Sequence, residues 1–215
     1  MRIIGVNMKV LLLNGSCKAN GSTFTALTEV AKVLENNGIE TEIFQIGANP
    51  VRDCIGCGQC AGKYRCIFDD DAVNEFIDKA KQADGFVFGS PTYYAHADGR
   101  ILCFLDRAFY AGKRWFSHKP AAMLAVARRA GTTAAIDTLN KYATIAEMPL
   151  VSSTYWNMAF GSKPEDILKD EEGLQTMRNL GENMSWLLKC IDCAKTNGIP
   201  VPETRAKIRT NFIKD

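Results

Sequence analysis

Along the chain, short uninterrupted apolar runs alternate with stretches whose apolar positions recur at helical spacing. Lys9-Val10-Leu11-Leu12-Leu13-Asn14 reads as a strand buried on both faces. Phe24, Leu27, Ala31 and Leu34 then form a helical stripe that stops at Asn37-Gly38. Thr41-Glu42-Ile43-Phe44-Gln45-Ile46 is the second strand. After it, Asp69-Asp70-Asp71 offers N-capping carboxylates to a helix carrying Val73, Phe76, Ile77 and Ala80. Gly85-Phe86-Val87-Phe88-Gly89 is the third strand, Ala121-Ala122-Met123-Leu124-Ala125-Val126 the fourth and Pro149-Leu150-Val151-Ser152-Ser153 the fifth. Helices over about 99–111 and 133–146 separate them. A last helix, near 172–196, shows Leu174, Met177, Leu180, Met184, Leu187 and Ile191 on one face.

Strands that alternate with helices in this way imply a parallel sheet covered on both faces. In such sheets ligands sit beyond the carboxyl ends of the strands, near a switch in strand order. No repeat, low-complexity tract or linker interrupts the pattern, so one domain over residues 1–215 is expected.

Composition narrows the choice of partners. The 215 residues are 47% hydrophobic and 23% charged, with a net charge of +2. That balance excludes a strongly basic nucleic-acid binder and gives no electrostatic case for a membrane surface. No apolar run reaches the length of a membrane span. Met1-Arg2-Ile3-Ile4-Gly5-Val6-Asn7 lacks the apolar core of a signal peptide and reads as a loose leader before Met8. Eight cysteines without such a signal point to a reducing compartment, with the cytoplasm as the expected location.

Two loops carry the candidate chemistry. After the first strand, Asn14-Gly15-Ser16-Cys17-Lys18-Ala19-Asn20-Gly21-Ser22-Thr23 is rich in hydroxyls and glycine and leads into a helix. Unpaired N–H groups at a helix start favour an anion. The loop matches neither the P-loop nor the dinucleotide fingerprint, so a phosphate monoester fits better than a pyrophosphate; an ordinary capped turn is the alternative. After the third strand, Ser90-Pro91-Thr92-Tyr93-Tyr94-Ala95-His96-Ala97-Asp98-Gly99 offers backbone polar groups and two aromatic faces suited to a flat heterocycle. His96 taken alone is a surface or interface histidine.

These segments, 15–23 and 90–107, resemble the flavodoxin-like NADPH-dependent FMN reductase family. The resemblance continues through Ala127-Arg128-Arg129-Ala130-Gly131 and Ser152-Ser153-Thr154-Tyr155-Trp156-Asn157. It implies a flavodoxin-like three-layer sandwich: a five-stranded parallel sheet in the order 2-1-3-4-5 with helices on both faces, binding one FMN. Carried over by position, Ser16, Lys18, Asn20, Ser22 and Thr23 would cradle the FMN phosphate, and Pro91, Thr92, Tyr93 and Tyr94 would border the isoalloxazine. Arg128, Arg129 and Gly131 would approach its pyrimidine edge or an incoming nicotinamide cofactor; solvated loop charge is the alternative for the arginines. Trp156 is either a cap over the site or a core aromatic. NADPH or NADH is the implied co-substrate, and because the hydride chemistry belongs to the flavin no side-chain acid or base is named. A homodimer or homotetramer is expected on the same resemblance.

Four cysteines fall in the run Cys54-Ile55-Gly56-Cys57-Gly58-Gln59-Cys60, with Cys66 after five more residues. The family includes iron-sulfur flavoproteins whose cysteine run follows the second strand. The resemblance therefore makes Cys54, Cys57, Cys60 and Cys66 candidate ligands of a [4Fe-4S] cluster, with Gly56 and Gly58 letting N–H groups approach sulfur. The spacing departs from the ferredoxin run, and zinc sites of four thiolates usually use two separated knuckles. The thiols are alternatively packing or redox-sensitive groups, and without a cluster the loop is expected to be mobile. Cys103 and Cys190 are expected to be buried on helices.

Three functions follow. The first is an FMN-dependent NAD(P)H oxidoreductase passing electrons to a small-molecule or protein acceptor. The second is an iron-sulfur flavoprotein electron carrier, and the third a non-catalytic redox or metal-sensing module.

Overall fold

The computed structural model describes residues 8–203 together with Ile208, Thr210 and Phe212. The expected leader, residues 1–7, lies outside the described residues. Strands β1 (Lys9–Asn14), β2 (Glu40–Gln45), β3 (Gly85–Tyr93), β4 (His96–Ala97), β5 (Ala121–Ala127) and β6 (Met158–Phe160) alternate with helices α1 (Ser22–Asn36), α2 (Val73–Ala80), α3 (Gly99–Gly112), α4 (Thr132–Ile145), α5 (Pro164–Ile167) and α6 (Glu171–Thr196). The parallel sheet runs β2-β1-β3-β5-β6, with β4 added antiparallel to the end of β3. Leaving that hairpin strand aside, the order is the expected 2-1-3-4-5, and the fold is flavodoxin-like.

Alternation along β1 divides the core. Val10 and Leu12 face α1 and α6, joining Leu27, Val30, Leu34, Met177, Leu180 and Met184. Leu11 and Leu13 face α2, α3 and α4, joining Phe76, Phe86, Phe88, Phe104 and Leu139. Each face is apolar, so the central strands read as unbroken hydrophobic runs rather than as alternating ones. On α6, Leu188 is buried where the sequence pattern had placed Leu187, which is only partly covered.

Two strand boundaries differ from expectation. β3 does not stop at Gly89: it continues through Tyr93, with Pro91 opposite Val126. The chain then turns at Tyr94 and Ala95 (φ 51 and 58) and returns as β4, pairing Thr92 with Ala97. The hairpin supplies the partners that the parallel ladder no longer provides, so Pro91, Thr92 and Tyr93 are strand residues and not loop residues.

The fifth strand is not continuous over 149–153. Leu150 alone bridges Ala121, and the chain then leaves the sheet and rejoins it at Met158 opposite Ala125. The excursion leaves Met123 O without a strand on the side away from β3. Buried Asn157 supplies the donor, its Nδ2 lying 3.1 Å from Met123 O and 3.4 Å from Val151 O. Such a polar plug satisfies the backbone where the ladder is broken.

Candidate functional site

The carboxyl end of β1 is shaped by one buried side chain. Asn14 is 0% exposed. Its Oδ1 accepts from Ser16 N at 3.1 Å, and its Nδ2 donates to Lys18 O and Ala19 O, each at 3.4 Å, and to Gln45 Oε1. Gln45 in turn donates to Ser16 O at 2.6 Å, and Ser16 Oγ accepts from Lys18 N at 3.1 Å. The loop is therefore wound around Asn14 before any ligand arrives. It delivers the chain to α1, whose N-cap is Gly21 and whose first turn has no side-chain capping bond. An α-helix start without such a cap presents N–H groups to an anion.

Ser16 and Thr23 are buried, Ser22 is half-buried, and Lys18 and Asn20 are exposed. Gly15 N donates to Gly89 O at 2.8 Å, and a Cβ at 15 would lie 2.8 Å from that same oxygen, so the first loop is pressed against β3. Across this seam Tyr93 is exposed but sufficiently enclosed that burial, followed by the nearby Cys17 and Asp98, pushes its hydroxyl up. Cys17 itself stands five residues ahead of α1.

The loop after β5 joins the same rim. Gly131 has φ 91, and a Cβ there would meet Ala95 Cα at 2.4 Å and Thr92 Cγ2 at 3.0 Å. Thr92 Oγ1 is buried with no hydrogen-bond partner among the described residues. Tyr94 points into solvent, and Arg128 and Arg129 are exposed, with no ion pair among the described residues. Ser16, Ser22, Thr23, Pro91, Thr92, Tyr93 and Gly131 thus lie on one continuous rim above β1, β3 and β5. Trp156 is on the excursion before β6, 59% exposed and in edge contact with Tyr155 (centroids 4.8 Å apart), which removes the core reading for it.

An uncapped helix start held open by a preformed loop suits a phosphate monoester. The orphaned hydroxyl of Thr92 suits a polar heterocycle edge. These features fit FMN.

The four cysteines converge as well. Cys54, Cys57, Cys60 and Cys66, all free thiols, line one cavity of about 180 Å³ floored by Arg107 and Phe68. Gly56, Gly58 and Gly62 adopt φ between 64 and 72 and Tyr64 φ 54, so the loop coils back repeatedly around that space. Burial, and behind it the crowding of Cys66, Cys54 and Cys57, raises the Cys60 thiol above its ordinary range. The soft donor set around one partly open cavity fits an iron-sulfur cluster. Among the described residues no three potential ligands already stand in single-ion geometry.

The loop is also fastened to α3. Arg107 of α3 reaches Cys66, and Arg114, two residues beyond the end of α3, lies over the rings of Tyr64 (4.4 Å) and Trp115 (4.8 Å). Of the other thiols, Cys103 is half-buried and Cys190 exposed, against the expectation of burial.

The sequence matches the model of the NADPH-dependent FMN reductases over residues 8–163. The chain belongs to that family. An iron-sulfur flavoprotein of Methanocaldococcus jannaschii is 30% identical over 193 residues, covering 86% of this chain and 99% of that protein. An FMN-dependent NADPH-azoreductase of Staphylococcus saprophyticus is 32% identical over 102 residues, covering 46% of this chain and 51% of that protein. In fold, the flavodoxin, WrbA-like protein of Agrobacterium tumefaciens superposes with a TM-score of 0.61 at 16% identity, covering 86% of this chain and 98% of that one. The chain is an FMN-dependent NAD(P)H oxidoreductase by family, in the branch that includes iron-sulfur flavoproteins.

Several residues that shape the two candidate sites escaped the sequence reading: Asn14 and Gln45 at the rim, and at the cysteine cup Asn74, bonded to the backbone of Cys66, and Arg107. Their signal was present. Asn14 is a polar end to an apolar strand, and Arg107 is a charge set among the buried Ile101, Phe104, Leu105 and Ala108 of α3. Among the described residues no helix is long and apolar enough to cross a membrane.

Proposed function

We propose that the chain binds FMN on the rim above β1, β3 and β5 and passes electrons from NADPH or NADH to a small-molecule or protein acceptor. The carrying observation is the Asn14 network, which holds the 16–20 loop open in front of the uncapped start of α1. Ser16, Lys18, Asn20, Ser22 and Thr23 hold the phosphate. Thr92 gives its free hydroxyl to the ring edge, and Pro91, Tyr93 and Tyr94 wall the ring. Arg128 and Arg129 supply positive charge on the open side for the phosphates of a nicotinamide cofactor, seated by Gly131 against Ala95. When bound, FMN supplies the hydride-accepting centre that converts a two-electron donor into a source of one or two electrons.

The cysteine cup favours a second element of the same reading. Cys54, Cys57, Cys60 and Cys66 bind a [4Fe-4S] cluster, which makes the acceptor side a one-electron relay. Helix α3 links the two sites. Gly99 stands at the rim and Arg107 at the floor of the cup, eight residues along, which is about 12 Å of helix. Exposed Tyr155 and Trp156 support assembly as a homodimer or homotetramer, which sedimentation velocity measures.

The test is purification without oxygen followed by absorption spectroscopy and assay of iron and sulfide. Flavin bands bleached by NADPH, with four iron and four sulfide per chain at full loading, are the expected result. A colourless protein that takes up no added FMN overturns the flavin reading. Flavin without iron overturns the cluster alone.

A further inference from the structure

Cys66 differs from the other cysteines of the cup in how it is held. Its N–H donates to Asn74 Oδ1 at 2.9 Å, its carbonyl accepts from Asn74 Nδ2 at 3.1 Å, and its Sγ accepts from Arg107 Nε at 3.2 Å. Asn74 and Arg107 are each 1% exposed, so neither swings away without opening the core. Among the described residues no side chain bonds the sulfur of Cys54 or Cys57. Cys60 Sγ reaches only Tyr110 O, at 3.8 Å.

Arg107 is itself fixed at every nitrogen. Nη1 pairs with Asp71 and lies 3.2 Å from Arg52 O, while Nη2 donates to Phe68 O at 3.1 Å. The guanidinium also lies 5.6 Å from the Phe68 ring centroid. Burying an arginine costs desolvation that only good partners offset. Asp71 and two carbonyls are such partners, but a neutral thiol is a weak acceptor. The Nε–H is matched instead to a sulfur that carries negative charge, as a metal-bound thiolate does.

We propose that Arg107 is a positioning residue that presets Cys66 as the anchoring ligand of the cup, and that its Nε–H, aimed at that sulfur, raises the reduction potential of the iron-sulfur centre bound there. The proposal rests on the cluster reading of the cup. Hydrogen bonds to ligating sulfur stabilise the more negative, reduced form and so move the potential up. Cys54, Cys57 and Cys60, on glycine turns with weaker ties, complete the coordination around a fixed first ligand. Arg107, Asn74 and Arg114 thereby tie the cup to the body of the fold.

Arg107→Lys keeps a positive charge beside Asp71 and removes the planar fork. Wild type and R107K are purified without oxygen as full chains and assayed for iron and sulfide. The iron-sulfur potential is then measured by spectroelectrochemical titration. In metal-free protein, uptake of added iron and sulfide is followed by absorbance. R107K is expected to shift the iron-sulfur potential negative while the flavin potential stays in place. It is also expected to slow cluster uptake by about tenfold, the loss of one charge-assisted hydrogen bond.

An unchanged potential in loaded R107K, or an unchanged rate of cluster uptake, overturns the role of Arg107 and leaves the cluster reading standing. Wild type that binds FMN but no iron overturns both. Should R107K fail to fold, loaded wild type carrying isotopically labelled arginine still decides. A magnetic coupling of the reduced cluster to an arginine nitrogen supports the bond to Cys66, and its absence overturns it.

Discussion

Gly131 and Ala95 are in backbone contact: a Cβ at position 131 would lie 2.4 Å from Ala95 Cα. Two loops from different strands are thereby locked together, the turn after β3 and the loop after β5. Gly131 also has φ 91, a left-handed conformation that costs an alanine strain even in open space. Gly131→Ala is therefore expected to cost about 2–4 kcal/mol and to lower Tm by roughly 4–16 °C. Because Thr92 and the arginine loop move with it, FMN should bind about tenfold more weakly, as measured by fluorescence titration. A variant with wild-type Tm and wild-type flavin affinity would show that the two loops are not coupled.

Asn14 makes a second test of the rim. Replacing it with alanine leaves Ser16 N and Lys18 and Ala19 carbonyls without their partner, a loss of about 1–3 kcal/mol localised to one loop. FMN dissociation should rise by about tenfold or more, whereas riboflavin, which lacks the phosphate, should lose far less. Equal losses for the two ligands would place the effect on the ring and not on the phosphate loop.

Sequence patterning carried most of the fold. Unbroken apolar runs marked three of the strands, β1, β3 and β5, because both faces of each are covered. The misplaced boundaries share a physical cause. Where β3 passes Gly89 and where the chain leaves the sheet after Leu150, hydrogen bonds come from a hairpin and from the side chain of Asn157, and neither alters hydrophobic periodicity. In the site, the residues expected to touch a ligand were legible because their types advertise it. Asn14, Asn74 and Arg107 were not, because they act on backbone and sulfur brought close only by the fold, Arg107 being 41 residues from Cys66.

The open arginines separate the two nicotinamide cofactors. Arg128 and Arg129 are exposed at the end of β5, available to phosphate groups. The double variant Arg128→Gln, Arg129→Gln is expected to raise KM for NADPH by about tenfold, with a smaller change for NADH and kcat within about twofold. Added salt should weaken NADPH binding in the wild type more steeply than in the variant. Unchanged KM values in low salt would reduce both side chains to solvated loop charge.

A pH effect should come from the opposite end of the sheet. Lys119 has its ammonium 2.9 Å from Ala80 O and 5.7 Å from the Phe86 ring centroid. Burial lowers its pKa from 10.5 to about 8, against the opposing pull of Asp84 and with a small push from Lys195. The folded chain therefore holds this proton less tightly than the unfolded chain does. Between about pH 8 and 10.5 the unfolded state binds more protons, so this group makes stability rise with pH across that window. Below about 8 the penalty is constant, on the order of 1–2 kcal/mol after allowance for solvent screening. Cysteines and tyrosines titrate in the same range, so the contribution is read as the difference from Lys119→Met in urea unfolding at pH 7.5, 9 and 10.5. The gap between variant and wild type should shrink as the pH rises. A gap that stays constant would mean that Lys119 keeps an ordinary affinity for its proton.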